Sequence, residues 1–340
     1  MTLDRSGALA YKNKMATRPR PYRWKYDRPP SLQEFMAEFP DDAACAEWLA
    51  KRRWPDGFTC PSCDCRKGWK LETRSWLWQC AKCGKQTSVT AGTILHGTHL
   101  PLRTWFLAVY LVATHSNGMS ALQLQSKLGI GSYKSAWLLL HKLRKAMVDP
   151  ERTPLAGIVE ADESSIPFLA KTDPICGGQG RSHDGKILII GAVECTGDGK
   201  SRRIRLSRIV DYTSSSLKEF IEKATSAGST IITDGFSSYL GMEGRKHVPK
   251  VVGIMAAHIV LPWIHKVFTN LKRLGLGVYH GFRGKNIQAY LDEFTYRWNR
   301  KRSFETAWSN LLGIGLRIPP MTYWTLTGRP SPKRTSPAAA

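Results

Sequence analysis

Four cysteines have spacing that implies chemistry. Cys60-Pro-Ser-Cys63 and Cys80-Ala-Lys-Cys83 are two CxxC pairs with sixteen residues between the inner cysteines. Each pair presents two thiolates to one tetrahedral ion, and their separation lies in the range of a four-cysteine zinc site. The competing readings are two unrelated thiol pairs or a redox CxxC, but the latter needs only one pair beside a βαβ unit. Cys65 is an extra thiol close by, expected to be a bystander. Cys45, Cys176 and Cys195 have no partner spacing and read as small buried residues.

The second set of reactive groups is acidic. In Ile158-Val-Glu-Ala-Asp162-Glu163, charges interrupt an apolar strand, and alternation puts Glu160 and Asp162 on one face and Glu163 on the other. In Thr230-Ile-Ile-Thr-Asp234-Gly235, an aspartate ends a short apolar strand. A carboxylate in a core sheet is costly unless it faces a metal or a partner, although Asp-Gly is equally a common turn. The stretch 258–273 starts a helix whose buried stripe is Ile264, Val267, Phe268 and Leu271, while Lys266, Asn270 and Arg273 look outward. His265 lies beside that stripe, and Lys272, two turns on, shares its face. By itself such a histidine reads first as a hydrogen-bonded or surface residue.

The chain that must position these groups has 340 residues, enough for two or three modules. Fifty Lys and Arg against twenty-seven Asp and Glu leave a net charge of +23, an electrostatic footprint for a polyanion, with nucleic acid the first candidate. Binding to an anionic membrane would require a basic amphipathic helix or a hydrophobic anchor, and neither is evident. The longest apolar runs, 105–113 and 187–193, fall far short of the ~18–20 residues of a membrane span. No apolar region follows the basic N-terminus as a secretory signal requires, so the expected compartment is a reducing cytoplasm, at the nucleoid.

Residues 1–30 are basic and proline-containing and read as a disordered arm. Ser31-Leu-Gln-Glu34 is a capping box opening a short helix, and a second helix over 42–53 ends at Trp54-Pro-Asp-Gly57. Short strands at 69–71 and 76–79 predict a zinc ribbon, which with its preceding helices occupies 31–98. From Leu102 the period is helical, a second helix capped by Ser120 runs to Leu128, and a third spans 133–147 after a Gly129-Ile-Gly131-Ser132 turn. The third is expected to bury Ala136, Leu139, Leu140 and Leu143 and to expose Lys134, His141, Lys142, Arg144 and Lys145. This order over 99–150 is a helix-turn-helix pattern, whose last helix enters the major groove; a plain helical core with a solvated basic face fits the same letters. A boundary follows at Asp149-Pro150 to Pro154. Strands at 157–166, 187–194 and 203–210, a capped helix at 215–227 and a strand at 230–233 then predict an α/β domain. The glycine-containing segment 171–186 reads as a hairpin tip, and 329–340 as a tail.

In this order the motifs resemble those of bacterial insertion-sequence transposases of the DDE superfamily with an N-terminal zinc ribbon, the IS1595 family with its ISXO2-like domain. The residues that carry the resemblance are Trp54-Pro-Asp-Gly-Phe-Thr-Cys60, both cysteine pairs, Gln86-Thr-Ser-Val-Thr-Ala-Gly-Thr93, Pro101-Leu-Arg-Thr-Trp105 and Ser120-Ala-Leu-Gln-Leu-Gln125. Glu160-Ala-Asp162-Glu163, Asp234-Gly-Phe, Leu261-Pro-Trp-Ile-His265, Asn270-Leu-Lys-Arg273 and Tyr290-Leu-Asp-Glu-Phe-Thr-Tyr-Arg297-Trp-Asn-Arg300 continue it.

The resemblance implies an RNase H-like catalytic domain over 155–328, with a mixed sheet and helices, that holds Mg2+ or Mn2+ on Asp162, Asp234 and His265. The third position is Glu or Asn in many members and His in one subgroup, and Lys272 falls on the family's lysine. The activity implied is metal-dependent strand cleavage and strand transfer on double-stranded DNA, both terminal repeats and target, by a homo-oligomer when two ends are synapsed. Lys134, Lys142, Arg144, Lys145, Lys272, Arg273, Arg297 and Arg300 are the candidate DNA contacts. Neutral imidazole in place of a carboxylate removes a charge and a hard ligand, which favours Mn2+ over Mg2+ and makes activity fall as His265 protonates near pH 6. The reading from another class is a non-catalytic DNA-binding protein, a ribbon and helix-turn-helix on a decayed transposase body. Both readings predict zinc and salt-sensitive DNA affinity. They part at the acidic site.

Overall fold

A computed structural model of the protein describes residues 29–72, 74–115, 117–168, 185–250, 260–282, 284–301 and 303–330. Nearly all of the basic arm, the tip of the 171–186 hairpin with Cys176, and the tail from residue 331 lie outside the described residues.

The N-terminal module begins with helices fixed by local capping. Helix α1 (Leu32–Glu38) opens on the capping box of Ser31 and Glu34, and α2 (Asp42–Arg53) is capped by Asp41, whose carboxylate accepts from the Ala44 N–H. An antiparallel ribbon follows, β1 (Gly68–Leu71), β2 (Arg74–Cys80) and β3 (Gln86–Ser88). The third strand is too short to show a period in sequence. Then come α3 (Leu102–Thr114), α4 (Ala121–Leu128), stopped by Gly129 in the left-handed region, and α5 (Tyr133–Ala146).

The second module is a five-stranded sheet. Strands β4 (Ile158–Pro167), β5 (Lys186–Cys195) and β6 (Ser201–Ile209) form an antiparallel meander, and helix α6 (Ser214–Ala224) then crosses over. Strands β7 (Thr230–Thr233) and β8 (Lys246–Pro249) add parallel to β4, giving the order β6-β5-β4-β7-β8. Three long antiparallel strands continued by short parallel ones make the RNase H-like arrangement. Strand β8 was not legible in the sequence, since Lys246-His-Val-Pro249 has no apolar run.

Two helices, α7 (Pro262–Tyr279) and α8 (Ile287–Asn299), cover one face of this sheet. Ile189, Val193, Ile204 and Leu206 meet Ile264, Val267, Phe268, Leu291 and Phe294 there, while α6 covers the other face with Leu217 and Ile221 against Leu188 and Ile190. The period-two alternation of β5 feeds both cores. Helix α8 also closes the free edge of β6. The Asn299 side-chain amide accepts from the Ile204 N–H at 2.7 Å and donates to its carbonyl at 3.2 Å, and Gln288 accepts from the Arg208 N–H at 3.0 Å.

Beyond the sheet, α9 (Phe304–Arg317) returns to the first module, where Ala307, Trp308, Leu311 and Leu312 pack among Phe35, Phe39, Leu49, Trp105 and Phe106. Within the segment 155–328, the last long apolar helix thus packs into the helical core and not against the sheet. The short α10 (Tyr323–Thr327) brings Tyr323 edge-on to Trp137 of α5 at 5.8 Å.

A buried ion network joins the two modules. Arg144 of α5 donates to Glu293 of α8 at 2.8 Å, with side-chain exposures of only 2% and 0%. Arg297 pairs with the same carboxylate at 3.0 Å and donates to the carbonyls of Val112, at 2.6 Å, and His115. The Tyr279 hydroxyl donates to Glu293 at 2.8 Å. Burial opposes the charge on Glu293, but Arg144 and Arg297 outweigh it and hold its pKa below the ordinary carboxylate value. A depressed folded-state pKa contributes stability above the unfolded value of about 4.3, lost as pH falls through the folded value. Removing one partner leaves the other charged and buried, which typically costs about 3–5 kcal/mol. Glu293→Ala is expected to lose stability of that order in urea titration at pH 7, and a loss below about 1 kcal/mol would remove the network from the list of structural ties.

Candidate functional site

The cysteines form a closed cluster at one end of the ribbon. Cys60 and Cys83 sulfurs are 3.6 Å apart, as are those of Cys63 and Cys80, and all four lie within 4.8 Å of one another. A tetrahedron with Zn–S bonds of about 2.3 Å has edges of about 3.8 Å, so the donors stand at the spacing such an ion requires. The two knuckles are built alike: the Asp64 N–H donates to the Cys60 carbonyl and the Gly84 N–H to the Cys80 carbonyl, with Asp64 and Gly84 both at positive φ. The backbone N–H groups of Cys83 and Lys82 bring the Cys80 pKa down to about 6. Cys65 hydrogen-bonds to Lys67 instead, outside the cluster.

The acidic groups converge where β4 and β7 run side by side. Carboxylate oxygens of Asp162, Glu163 and Asp234 all lie within 4.8 Å of one another. His265 Nε2 on α7 stands 3.6 Å from Asp162 Oδ2. Asp162 accepts from the Glu163 N–H at 2.9 Å, and Asp234 accepts from the Phe236 N–H at 3.0 Å, so the Asp-Gly turn and the acidic cluster are one feature. Like charges this close favour a cation between them, and oxygen donors suit a hard divalent ion such as Mg2+ or Mn2+.

Glu163 lies on the opposite face of β4 from Asp162, as alternation implies: its neighbour across the strand pair, Ile190, and its partner Tyr239 both belong to the core on the α6 side. The buried Tyr239 hydroxyl donates to Glu163 Oε2 at 2.8 Å, and the carboxylate still comes within 4.8 Å of Asp162 and Asp234, which alternation alone does not reveal. Burial and the charges of Glu163, Asp162 and Asp234 push the Tyr239 pKa far up, keeping it a donor. The adjacent acids in Glu160-Ala-Asp162-Glu163 were the available signal.

Glu160 has a different task. Its carboxylate accepts from the Trp263 N–H at 2.9 Å and the Ile264 N–H at 3.0 Å, the first turn of α7. The α7 N-terminus has no side-chain cap of its own and begins with Pro262, so a carboxylate from β4 serves as its cap. Burial raises the Glu160 pKa, and these two amides oppose the shift. Opposite Asp162 in the strand register stands Gly191, where a Cβ would lie 2.7 Å from Ile264 Cδ1. The missing side chain lets α7 approach the sheet, and Glu160 sets the height at which it docks.

The basic candidates divide. Lys272 is exposed on the face of His265, and Arg273, Lys134 and Lys145 are also exposed. Arg300 is half-buried, its guanidinium 4.0 Å from the Tyr296 ring. The expectation that His141, Lys142 and Arg144 face outward is not met. All three are buried, Lys142 with its ammonium 5.7 Å from the Trp105 ring, and Arg144 and Arg297 are both engaged by Glu293. Helix α5 is enclosed by α3, α4, α8 and α9, so its outward surface is mainly the first turn and Lys145.

Two family profiles match the chain, a transposase zinc-ribbon domain over residues 40–86 and an ISXO2-like transposase domain over 154–299. The chain belongs to the IS1595 family of transposases. A protein of transposable element ISH50 from Halobacterium salinarum is 31% identical over 129 residues, 37% of this chain. The match spans 42% of that relative's length. A Mos1 transposase paired-end complex with its left transposon end is 12% identical with a TM-score of 0.28, over 62% of this chain and 78% of that one. That likeness is remote, and the RNase H-like description rests on the strand order. The family's domain ends at Asn299, where α8 ends, in accord with the assignment of α9 to the helical core. No helix among the described residues is long and apolar enough to cross a membrane.

Two outcomes are expected. Purified protein should carry zinc by elemental analysis, and Cys63→Ser should lose it together with thermal stability; equal zinc content in the variant would contradict the cluster. Glu160→Ala should cost about 1–3 kcal/mol in chemical denaturation, as two buried amides lose their acceptor, with Glu160→Gln recovering part of it.

Proposed function

We propose that this protein is an active DNA transposase that cleaves element ends and joins them to target DNA with catalytic divalent ions. The observation that supports this most is the convergence of Asp162, Glu163 and Asp234, with His265 against Asp162. Asp162 and Asp234 would hold the ions, with Glu163 in the same cluster and His265 as a nitrogen ligand at its edge. Mg2+ or Mn2+ bound there supplies an activated nucleophile and neutralises the charge that builds on the phosphate during in-line displacement.

The chain's own groups do the rest. Tyr239 holds Glu163 in the cluster, and Glu160 fixes α7 so that His265 meets Asp162. Lys272, exposed two turns beyond His265, would hold a DNA phosphate. The cysteine cluster, with zinc as its structural ion, orders the ribbon, and the ribbon with α4 and the exposed first turn of α5 would engage terminal repeats. The net charge of +23 suits contact with terminal and target DNA together. Holding two ends at once calls for a homo-oligomer on DNA.

In joining assays with element ends and Mn2+, Asp162→Asn or Asp234→Asn should abolish strand transfer while end binding persists. Glu163→Gln and His265→Ala should each reduce it by more than the roughly 10–100-fold typical of a residue that merely orients a ligand. A wild-type rate in either aspartate variant sinks the metal-site reading. Wild-type protein that binds ends without cutting them in Mg2+ or Mn2+ would be the non-catalytic DNA-binding protein.

A further inference from the structure

A cleft of about 830 Å³ opens where the two modules meet, away from the acidic cluster. Its walls come from the starts of α4, α5 and α8, the end of α7, and α10. It lies near Tyr279, fourteen residues beyond His265 on α7, which is about 21 Å along the helix. The aromatic rings of Tyr133, Trp137, Tyr290 and Tyr323 line it, with Lys285 and Arg329. None of its described lining residues is a carboxylate.

We propose that this cleft receives an unpaired nucleotide of a DNA strand, its base between the aromatic rings and its phosphates against Lys285 and Arg329. The proposal rests on the reading of the chain as a DNA-handling protein, though not on its catalysis. The rings are held in set orientations. Trp137 stacks on His141 with centroids 4.0 Å apart and meets Tyr323 edge-on, and the Arg144 guanidinium lies 4.4 Å from the centre of the Tyr290 ring. Tyr133 is 52% exposed at the rim, so its ring is open to a ligand.

Aromatic platforms beside a positive track are how proteins hold single strands, because every base has a face that stacks. A paired base inside a duplex offers only its edges, whereas an unpaired one can enter a pocket of this size. Gln123 and Asn286, also in the wall, carry amides able to pair with a base edge. Lys272 lies midway along α7 between His265 and the cleft, so one strand could pass from the acidic site to the aromatic one.

The test uses the full chain in buffer without added divalent metal, and a short DNA strand carrying 2-aminopurine, compared with its duplex. Stacking in the cleft should quench the free strand's fluorescence. The double variant Trp137→Ala/Tyr323→Ala should relieve the quenching and weaken single-strand binding at least about five-fold, the lower end of what one stacked base contributes. Duplex affinity should stay unchanged, and Trp137→Phe/Tyr323→Phe should retain single-strand binding with unaltered zinc content and melting. Equal losses for strand and duplex, or no quenching in the wild type, would overturn the proposal. So would binding of a free deoxynucleoside monophosphate but not of the strand. Asp162→Asn, which ends joining if the proposed function holds, should leave this binding intact, so the two readings fail separately.

Discussion

The acidic site depends on how closely helix α7 lies on strand β4. Two features fix that distance. Gly191, directly across from Asp162, has no Cβ to hold Ile264 away. Glu160, two residues before Asp162, takes the first amides of α7 into hydrogen bonds of 2.9 and 3.0 Å. His265 follows Ile264 by one residue, so the contact that satisfies the helix terminus also carries the imidazole to Asp162. The helix end and the position of the imidazole beside Asp162 are thereby settled by the same carboxylate.

A second constraint acts at the larger scale. The chain leaves its helical module after α5, builds the sheet, and returns through α9 to complete the first core. Glu293 binds Arg144 from one module and Arg297, which reaches the carbonyls of Val112 and His115, from the other. A buried carboxylate with two arginines and a tyrosine hydroxyl is costly to break at any one point. This ties the ends of α3 and α5 to the sheet that carries the acidic groups, and it leaves a cleft with aromatic walls at the junction.

Much of this was legible in the letters. The CxxC pairs revealed the ribbon because metal ligation imposes spacing, and the long strands and capped helices showed themselves through periodicity and end signals. Asp162, Asp234 and His265 drew notice locally as polar groups on or beside apolar segments and were joined into one site only by the family resemblance, and the structure has His265 beside Asp162 and Asp234 within reach of it. What stayed hidden depends on contacts distant in sequence. That the Glu163 carboxylate, on the face opposite Asp162, still meets both aspartates could not be read locally, since its partner Tyr239 lies seventy-six residues away. Arg144 and Lys142 read as a solvated basic face because the partner of one, Glu293, and the helices that bury both lie far along the chain. Strand β8 and the return of α9 are tertiary facts with no local pattern.

In the proposed function, β4, the turn after β7 and α7 together form one divalent-metal site. Fe2+ substituted into such a site, with ascorbate and peroxide, cuts the backbone beside its ligands. The expected result is cleavage next to residues 162 and 234 and near residue 265, suppressed by Mn2+ or Mg2+ and absent from Asp162→Asn. Cleavage confined to the cysteine cluster, or none that Mn2+ suppresses, would contradict the site.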